Sequence, residues 1–328
     1  MSKILVTGGA GYIGSFIVRK LKEGGFEPVI IDDMSSGNKE AVEGFELHEI
    51  NLVTEKDKLN KFFRDQDIEG VIHMAGFIQM GESFKKPMKY FNNNLSSAIN
   101  LFEAMVENEI PYFVFSSSAG VYGNPEKVPI EEDDKKDPVN PYGETKYMIE
   151  RMLPWFNKAY GMKFAAIRYF NAAGAALDGS IGEDHPEESH LIPVAIKAAI
   201  EEKEFTIFGD DYDTPDGTNV RDYVHVLDLS EAHTLALQNL MDGGQSNFYN
   251  AGDGKGYSNK EIMAEIVKVT GTDFKIKYGP RRPGDADELV ASIERIKGSL
   301  DWKPKLGLTE IIESAYKWHK AHPQGYTK

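Results

Sequence analysis

Thr7-Gly8-Gly9-Ala10-Gly11-Tyr12-Ile13-Gly14 stands directly after a short apolar run, Lys3 to Val6, and opens a helical pattern. A strand, a glycine turn and a helix start in that order make a pyrophosphate site. Gly8 permits the tight turn, Gly11 lets the backbone approach the phosphates, and Gly14 allows close packing, while the helix start offers N–H groups and a positive dipole end. The spacing is G-x-x-G-x-x-G, one residue longer in its first turn than the common G-x-G-x-x-G fingerprint. A glycine turn alone is weak, and the next strand supplies the context. Pro28 to Ile31 is apolar and ends in Asp32, close to the ~20-residue offset at which an acidic side chain meets an adenosine ribose. Asp32 repels a 2'-phosphate, and no Arg or Lys follows before Lys39, so NAD is favoured over NADP.

The chain has 328 residues, enough for a sizeable core and, on a prior of about 150 residues per domain, for two domains. No apolar run approaches the ~18 residues of a membrane-spanning helix. The first residues reach the glycine turn at once, leaving no room for a secretion signal, so a cytoplasmic enzyme is expected. Cysteine is absent, which removes disulfides, thiolate nucleophiles and Cys-ligated zinc. A net charge of −15 argues against nucleic acid and anionic membranes as partners. A few placed arginines can still hold a phosphorylated small molecule, and Arg221, Arg281 and Arg282 are available for that role.

The first half alternates strand patterns with helical ones. Lys3 to Thr7, Pro28 to Asp32, Phe45 to Ile50, Gly70 to Ala75, Tyr112 to Ser116 and Phe164 to Arg168 read as strands. Their short continuous apolar runs suit strands covered on both faces, hence an α/β fold with a doubly wound parallel sheet. Ligands of such sheets bind beyond the carboxyl ends of the strands, where Gly8, Asp32, Ala75, Ser116 and Tyr169 fall. After Asn171 the texture changes to small residues and then to an acidic, proline-containing run. The expected division is residues 1–175 and a smaller α/β domain over 176–328, with about 215–250 packing back on the first. In the second part, helices are expected near Leu191 to Glu201, Asp228 to Met241, Ser258 to Thr270 and Leu308 to His322. Strands are expected near Phe205 to Phe208, Val220 to Val226, Phe248 to Ala251 and Phe274 to Tyr278. Ser258 and Glu261 have the spacing of a capping box.

Tyr142-Gly143-Glu144-Thr145-Lys146 is the second strong signal. Asn140-Pro141 suits a helix start, and four residues along a helix put the Tyr and Lys side chains on one face. A lysine there lowers the phenol from its usual pKa of about 10, making it a competent base. Taken alone, such a pair usually lies on a surface. Ser116-Ser117-Ser118 follows the fifth strand at its carboxyl end, where a hydroxyl can hydrogen-bond a reacting oxygen and share its proton with the tyrosine. Ordinary strand-end or capping roles suit Ser116 and Ser117.

These stretches recur as an ordered set: TGGAGYIGS from Thr7, HMAG from His73, GESFKKP from Gly81, SSSAGVYG from Ser116 and NPYGETK from Asn140. RYFNAAGA from Arg168, SHLIP from Ser189, IFGDDYDTPDGTNVRDYVHVLDL from Ile207 and PRRPGD from Pro280 complete it. The chain thereby resembles the extended short-chain dehydrogenase/reductase family, and within it most closely the UDP-glucose 4-epimerases, over nearly its full length. The resemblance implies a catalytic trio of Ser118, Tyr142 and Lys146, with Tyr142 as base and acid. It implies that NAD touches Gly8, Gly11, Tyr12, Ile13, Gly14, Asp32, Asp33, Asn38, Asn51, Leu52, Ala75, Gly76, Asn93, Ser116 and Tyr169, besides Tyr142 and Lys146. The UDP-sugar would meet Asn171, His190, Leu191, Phe208, Arg221, Arg282, Asp285 and Leu289, besides Ser118 and Tyr142. The implied reaction oxidises C4 of the sugar to a ketone and reduces it from the other face, with NAD regenerated in each cycle, in a homodimer.

Some positions depart from the commonest pattern of that family. Ile78 stands where some relatives carry lysine, Asn51 where aspartate is frequent, and His190 where asparagine occurs. Leu289 is intermediate between the large tyrosine and the smaller residues found at its place, which leaves UDP-N-acetylglucosamine open as a second substrate. Sugar-nucleotide dehydration ranks low, since Ala119 and Gly120 follow Ser118 where dehydratases carry an acidic pair. A non-catalytic NAD-binding module ranks low because Ser118, Tyr142 and Lys146 are all present. No metal is expected: the histidines are scattered, and His319 and His322 suit a helix C-terminus better than zinc.

Overall fold

Runs rich in β-branched and aromatic residues build five of the first six strands, β1 (Lys3–Thr7), β2 (Glu27–Asp32), β4 (Ile68–His73), β5 (Tyr112–Ser116) and β6 (Lys163–Tyr169), while β3 (Glu46–Glu49) is mostly polar. In the computed structural model, which describes residues 1–282 and 285–326, they join the strand Asn247–Ala251 in one seven-stranded sheet. The order is Asn247–Ala251, β6, β5, β4, β1, β2, β3. β1 pairs in parallel with β2 on one side and β4 on the other, Thr7 lying opposite both Ile31 and His73. Chain order therefore reverses on either side of β1, the switch point at which doubly wound sheets bind their ligands.

Inner strands carry the burial expected of a sheet covered on both faces: Ile4, Leu5, Val6, Val71, Ile72, Phe113, Val114 and Phe115 are fully buried. One core cluster packs Leu5, Val71, Phe102, Phe113, Phe115 and Leu153 together. Burial of each such side chain stabilises by about 1.5–3 kcal/mol. Only β3, the outermost strand, has both ends exposed. It is two residues shorter than the Phe45 to Ile50 expected, because it pairs only with Val29–Asp32 and β2 ends at Asp32.

Contacts divide the chain into two compact units. The first holds Met1–Gly123, Lys136–Arg168 and Ser230–Tyr249, and the second Asn124–Lys135, Tyr169–Leu229 and Asn250–Lys328. In the second unit Val220–His225 pairs antiparallel with Gly256–Ser258 and parallel with Asn171–Ala173 and Glu288–Leu289. A separate ribbon joins Phe205–Phe208 to Ile276–Gly279. Helices Leu191–Ile200, Asn259–Thr270 and Leu308–Ala321 close over a core that includes Ile196, Ile207, Ile266 and Ile312. Ser258 caps its helix as the capping-box spacing suggests: its hydroxyl accepts from Glu261 N–H at 3.1 Å, and Glu261 accepts from Ser258 N–H at 2.8 Å. The last expected strand begins at Ile276, two residues late, since Phe274 is buried in the helical core. No described helix is long and apolar enough to cross a membrane.

Candidate active site

Sterics at the glycine turn explain its spacing. Gly8 has φ +68°, and a Cβ there would sit 2.7 Å from the Ala75 amide nitrogen. A Cβ on Gly14 would come within 2.3 Å of the Gly8 carbonyl oxygen, so the helix Tyr12–Glu23 can lie on the turn only with glycine at that place. The helix starts at Gly11 with no side-chain cap and no acidic residue in its first turn, which leaves the positive end of its dipole uncompensated. Tyr12, Ile13 and Gly14 form that first turn. Asn38 is drawn against it, its N–H donating to Ala10 O at 2.9 Å.

Asp32 ends β2 with its carboxylate turned inward, accepting from Ala10 N–H at 3.0 Å and Met34 N–H at 2.9 Å. Burial pushes its pKa up against those two N–H groups. Asp32 thus braces the turn, whereas neighbouring Asp33 is tied to Asn51 Nδ2 at 2.7 Å near the surface. Lys39, the first cation after them, is paired with Glu49 at 2.5 Å. Leu52 is buried beside this edge, its carbonyl accepting from Asn100 Nδ2. Ala75 and Gly76 follow the end of β4.

Helix Pro141–Tyr160 begins as the sequence suggests, with Asn140 Oδ1 accepting from Gly143 N–H at 2.8 Å and Pro141 in the first position. Ser118 caps a short 3-10 turn, its Oγ accepting from Gly120 N–H at 3.0 Å. The two segments touch where side chains are missing: a Cβ on Gly143 would fall 2.5 Å from Gly120 O. Ser118 and Tyr142 are brought together by this contact. Lys146 lies one turn along the helix, 3% exposed, donating to Ser116 O at 2.7 Å with Nζ 5.8 Å from the Tyr142 ring centre. Burial pushes its amine down to about 8, opposed by the charge of Glu150. Burial and the Lys146 charge also hold His73, bonded to Thr7 Oγ1 at 2.7 Å, down to about 3, hence neutral. Ser116 Oγ is buried without a hydrogen-bond partner, a hydroxyl suited to a bound polar group.

Two supports for this trio lie outside the sequence reading. Asn94, 2% exposed, accepts from Phe77 N–H at 2.9 Å and donates to Thr145 Oγ1 at 3.1 Å, tying the loop after β4 to the tyrosine helix. It sits with Asn93 in a π-helical turn, Phe91–Leu95, a distortion frequent at functional sites. Three consecutive asparagines, Asn92 to Asn94, were the available signal. The second support is a buried ion pair: Arg168 meets Glu150 through Nε at 2.9 Å and Nη2 at 2.7 Å, and donates to Tyr122 Oη at 2.9 Å. Ser117 Oγ completes it at 2.6 Å from Glu150. Tyr169, the residue after Arg168, ends β6.

The residues expected to hold UDP lie in the second unit. Asn171 donates to Asp222 O at 2.9 Å, and His190 and Leu191 stand at the start of helix Leu191–Ile200. Arg221 is held by Val220 O at 2.8 Å, with burial pushing its pKa down and Asp285 opposing. Leu289 pairs in register with Arg221. The Arg282 guanidinium lies 4.3 Å from the centre of the Phe208 ring, a cation–π contact on an aromatic side chain that is 36% exposed. Arg281 is engaged by Asp211 at 2.6 Å and stacks on Tyr212 at 4.1 Å. Asp285 N–H donates to Arg282 O at 3.3 Å, while Pro283 and Gly284 of the PRRPGD stretch lie outside the described residues.

The expectation of scattered histidines fails in one segment. Glu183, His185, Glu188 and His190 converge, each offering a donor atom within 4.8 Å of the others. Burial disfavours charge on both imidazoles, yet Glu183 and Glu188 raise His185 to about 9 and His190 to about 10. His322 does mark a helix end, stacked on Trp318 at 3.7 Å and following Ala321.

Comparison with known proteins agrees with this geometry. Residues 4–252 match the NAD dependent epimerase/dehydratase family. A UDP-glucose 4-epimerase of Lactobacillus helveticus is 49% identical over 326 residues, covering 99% of each chain. A crystal structure of a UDP-glucose 4-epimerase superposes with a TM-score of 0.97 at 43% identity and covers 100% of both chains. The Brucella ovis UDP-glucose 4-epimerase in complex with NAD gives 0.93 at 38%, covering 96% of this chain and 98% of that one. The chain belongs to the NAD dependent epimerase/dehydratase family.

Proposed function

We propose that this chain interconverts UDP-galactose and UDP-glucose, inverting the hexose at C4, with NAD held on the glycine turn. The observation that carries the reading is the buried Lys146 amine one helical turn from Tyr142, with Ser118 on the adjoining strand end. The residues present fit NAD. Gly8 and Gly14 leave space only for backbone, the uncapped helix start suits a diphosphate, and Ser116 Oγ is a buried hydroxyl in want of a partner. Asp33, with Lys39 already paired to Glu49, disfavours a 2'-phosphate. Bound there, NAD supplies a two-electron acceptor that takes the C4 hydride and returns it.

Ser118 Oγ is the donor for the sugar 4-oxygen. Tyr142 Oη takes the proton of the 4-hydroxyl and later gives it back to the same oxygen. The Lys146 cation favours the phenolate that makes Tyr142 a base. Arg221 and Arg282 bind the diphosphate by charge-assisted hydrogen bonds, Asp285 accepts from a ribose hydroxyl, and Phe208 covers the uracil. Asn171, His190 and Leu191 supply further contacts to the UDP part. Firm binding of UDP, remote from C4, leaves the hexose free to present either face. The relatives' names favour the unacetylated hexose over UDP-N-acetylglucosamine. The resemblance also suggests a cytoplasmic homodimer, which light scattering of the purified protein checks for assembly.

Tyr142→Phe tests the role of the phenol. The variant is expected to purify with NAD and to lose about 10²–10⁴-fold in turnover of UDP-galactose, the range for removal of a general base. Full turnover would remove Tyr142 from that role.

A further inference from the structure

We propose that Glu183, His185, Glu188 and His190 form a four-coordinate divalent metal site whose donor set fits zinc. The four residues fall within eight positions of the chain, and the loop folds so that both imidazoles present Nδ1 to both carboxylates. His190 Nδ1 is 2.8 Å from Glu183 Oε1 and 3.0 Å from Glu188 Oε1. His185 Nδ1 is 3.4 Å from Glu183 Oε1 and 3.1 Å from Glu188 Oε2. Tetrahedral zinc with bonds of about 2.0–2.2 Å separates its donors by roughly 3.3–3.6 Å, so the 3.4 Å contact already fits and the 2.8 Å contact must open by about 0.5–0.8 Å to admit the ion.

Ion pairing alone does not account for this arrangement. One imidazole Nδ1–H points at one acceptor, yet each Nδ1 lies close to two carboxylates. Glu183 Oε1 is sealed from solvent on a side chain that is 4% exposed, and it makes no aligned hydrogen bond despite the 2.8 Å approach of His190. Both Nδ1 atoms hydrogen-bond Glu188, His185 at 3.1 Å and His190 at 3.0 Å, which leaves the buried Glu183 Oε1 facing them with no hydrogen of its own, a place a shared cation would fill. Two imidazole nitrogens with two carboxylate oxygens suit zinc better than magnesium or calcium, which take oxygen alone.

A supporting shell is also built. Glu188 Oε1 accepts from Ser189 and His190 N–H, each at 2.8 Å, which orients its Oε2 toward His185. Helix Leu308–Ala321 and the residues after it anchor the loop. Trp318 Nε1 donates to Glu183 O at 3.3 Å, Tyr326 Oη accepts from Gly182 N–H at 3.0 Å, and Tyr326 N–H donates to Asp184 Oδ2 at 3.1 Å. Hydrogen bonds that fix the ligands and their backbone are what a structural metal site requires. The ion would brace the segment that leads into helix Leu191–Ile200. This assignment rests on the donor geometry, and it shares one residue, His190, with the proposed UDP contacts.

The experiment uses the NAD-containing full chain, stripped with a chelator and titrated with Zn²⁺ by calorimetry and with Co²⁺ by visible absorption. The expected result is one equivalent per chain with a Kd of about 1 µM or tighter, together with visible bands of four-coordinate cobalt. His185→Ala and, separately, Glu188→Gln should weaken Zn²⁺ binding by at least about 10-fold and abolish the cobalt bands. The metal-free wild type needs no substitution, so its own stoichiometry decides the matter even where a variant misfolds. No saturable binding by the wild type, or several weak equivalents unchanged in His185→Ala, would overturn the proposal.

Discussion

Lys146 carries the sharpest conflict between stability and chemistry in the chain. In the proposed mechanism its cation favours a Tyr142 phenolate, yet burial holds the amine near pKa 8 when an unfolded lysine titrates at about 10.4. Between those values the unfolded chain binds the proton more tightly, so burial of the charge costs stability at pH 7 and the cost fades as pH rises through about 8 to 10. That cost is on the order of 3 kcal/mol, offset by about 1 kcal/mol for the hydrogen bond to Ser116 O. Lys146→Met is therefore expected to melt above the wild type at pH 7, to lose this advantage by pH 10, and to be inactive as an epimerase. Paired melting curves at the two pH values check the sign. A variant less stable than the wild type at pH 7 would contradict the account of burial.

Among the elements, helix Pro141–Tyr160 and β6 are joined by the Glu150–Arg168 pair, with side chains only 2% and 3% exposed. Removing one partner strands a charge away from water. Glu150→Ala should destabilise by about 3–5 kcal/mol, and Glu150→Ala with Arg168→Met should recover most of that, as urea unfolding of both variants can measure. A loss below about 1 kcal/mol in the single variant would show that water reaches Arg168. Nothing in the sequence signalled this pair, because its residues stand 18 positions apart and each reads as an ordinary surface charge. Asn140, Pro141 and the capping box at Ser258 were legible, since caps are local and side-chain chemistry decides them. Strands of two or three residues, such as Glu288–Leu289 and Asn171–Ala173, were not: they exist only because Val220–His225 lies beside them. The Glu183 to His190 cluster was missed for a related reason, as a loop has no period from which to read which side chains converge.

For the whole molecule, the strand order around β1 accounts for the most legible part of the site. Each apolar run ends at the same edge of the sheet, so the glycine turn, Asp32, Ala75 and Ser116 could be grouped from the sequence before any contact was known. Residues of the second unit carry no comparable rule. Arg221 beside Asp222 reads as a local ion pair, whereas Asp222 is spent on the N–H groups of Asp253, Gly254 and Ala291. The proposed reaction needs one chain to oxidise and re-reduce the same carbon with the NAD it holds. Purified protein of measured NAD content, incubated with UDP-galactose without added cofactor and followed by NMR of the sugar, tests it most directly. UDP-glucose should accumulate to a fixed ratio over many turnovers per NAD, and its absence from protein shown to contain NAD would contradict the account.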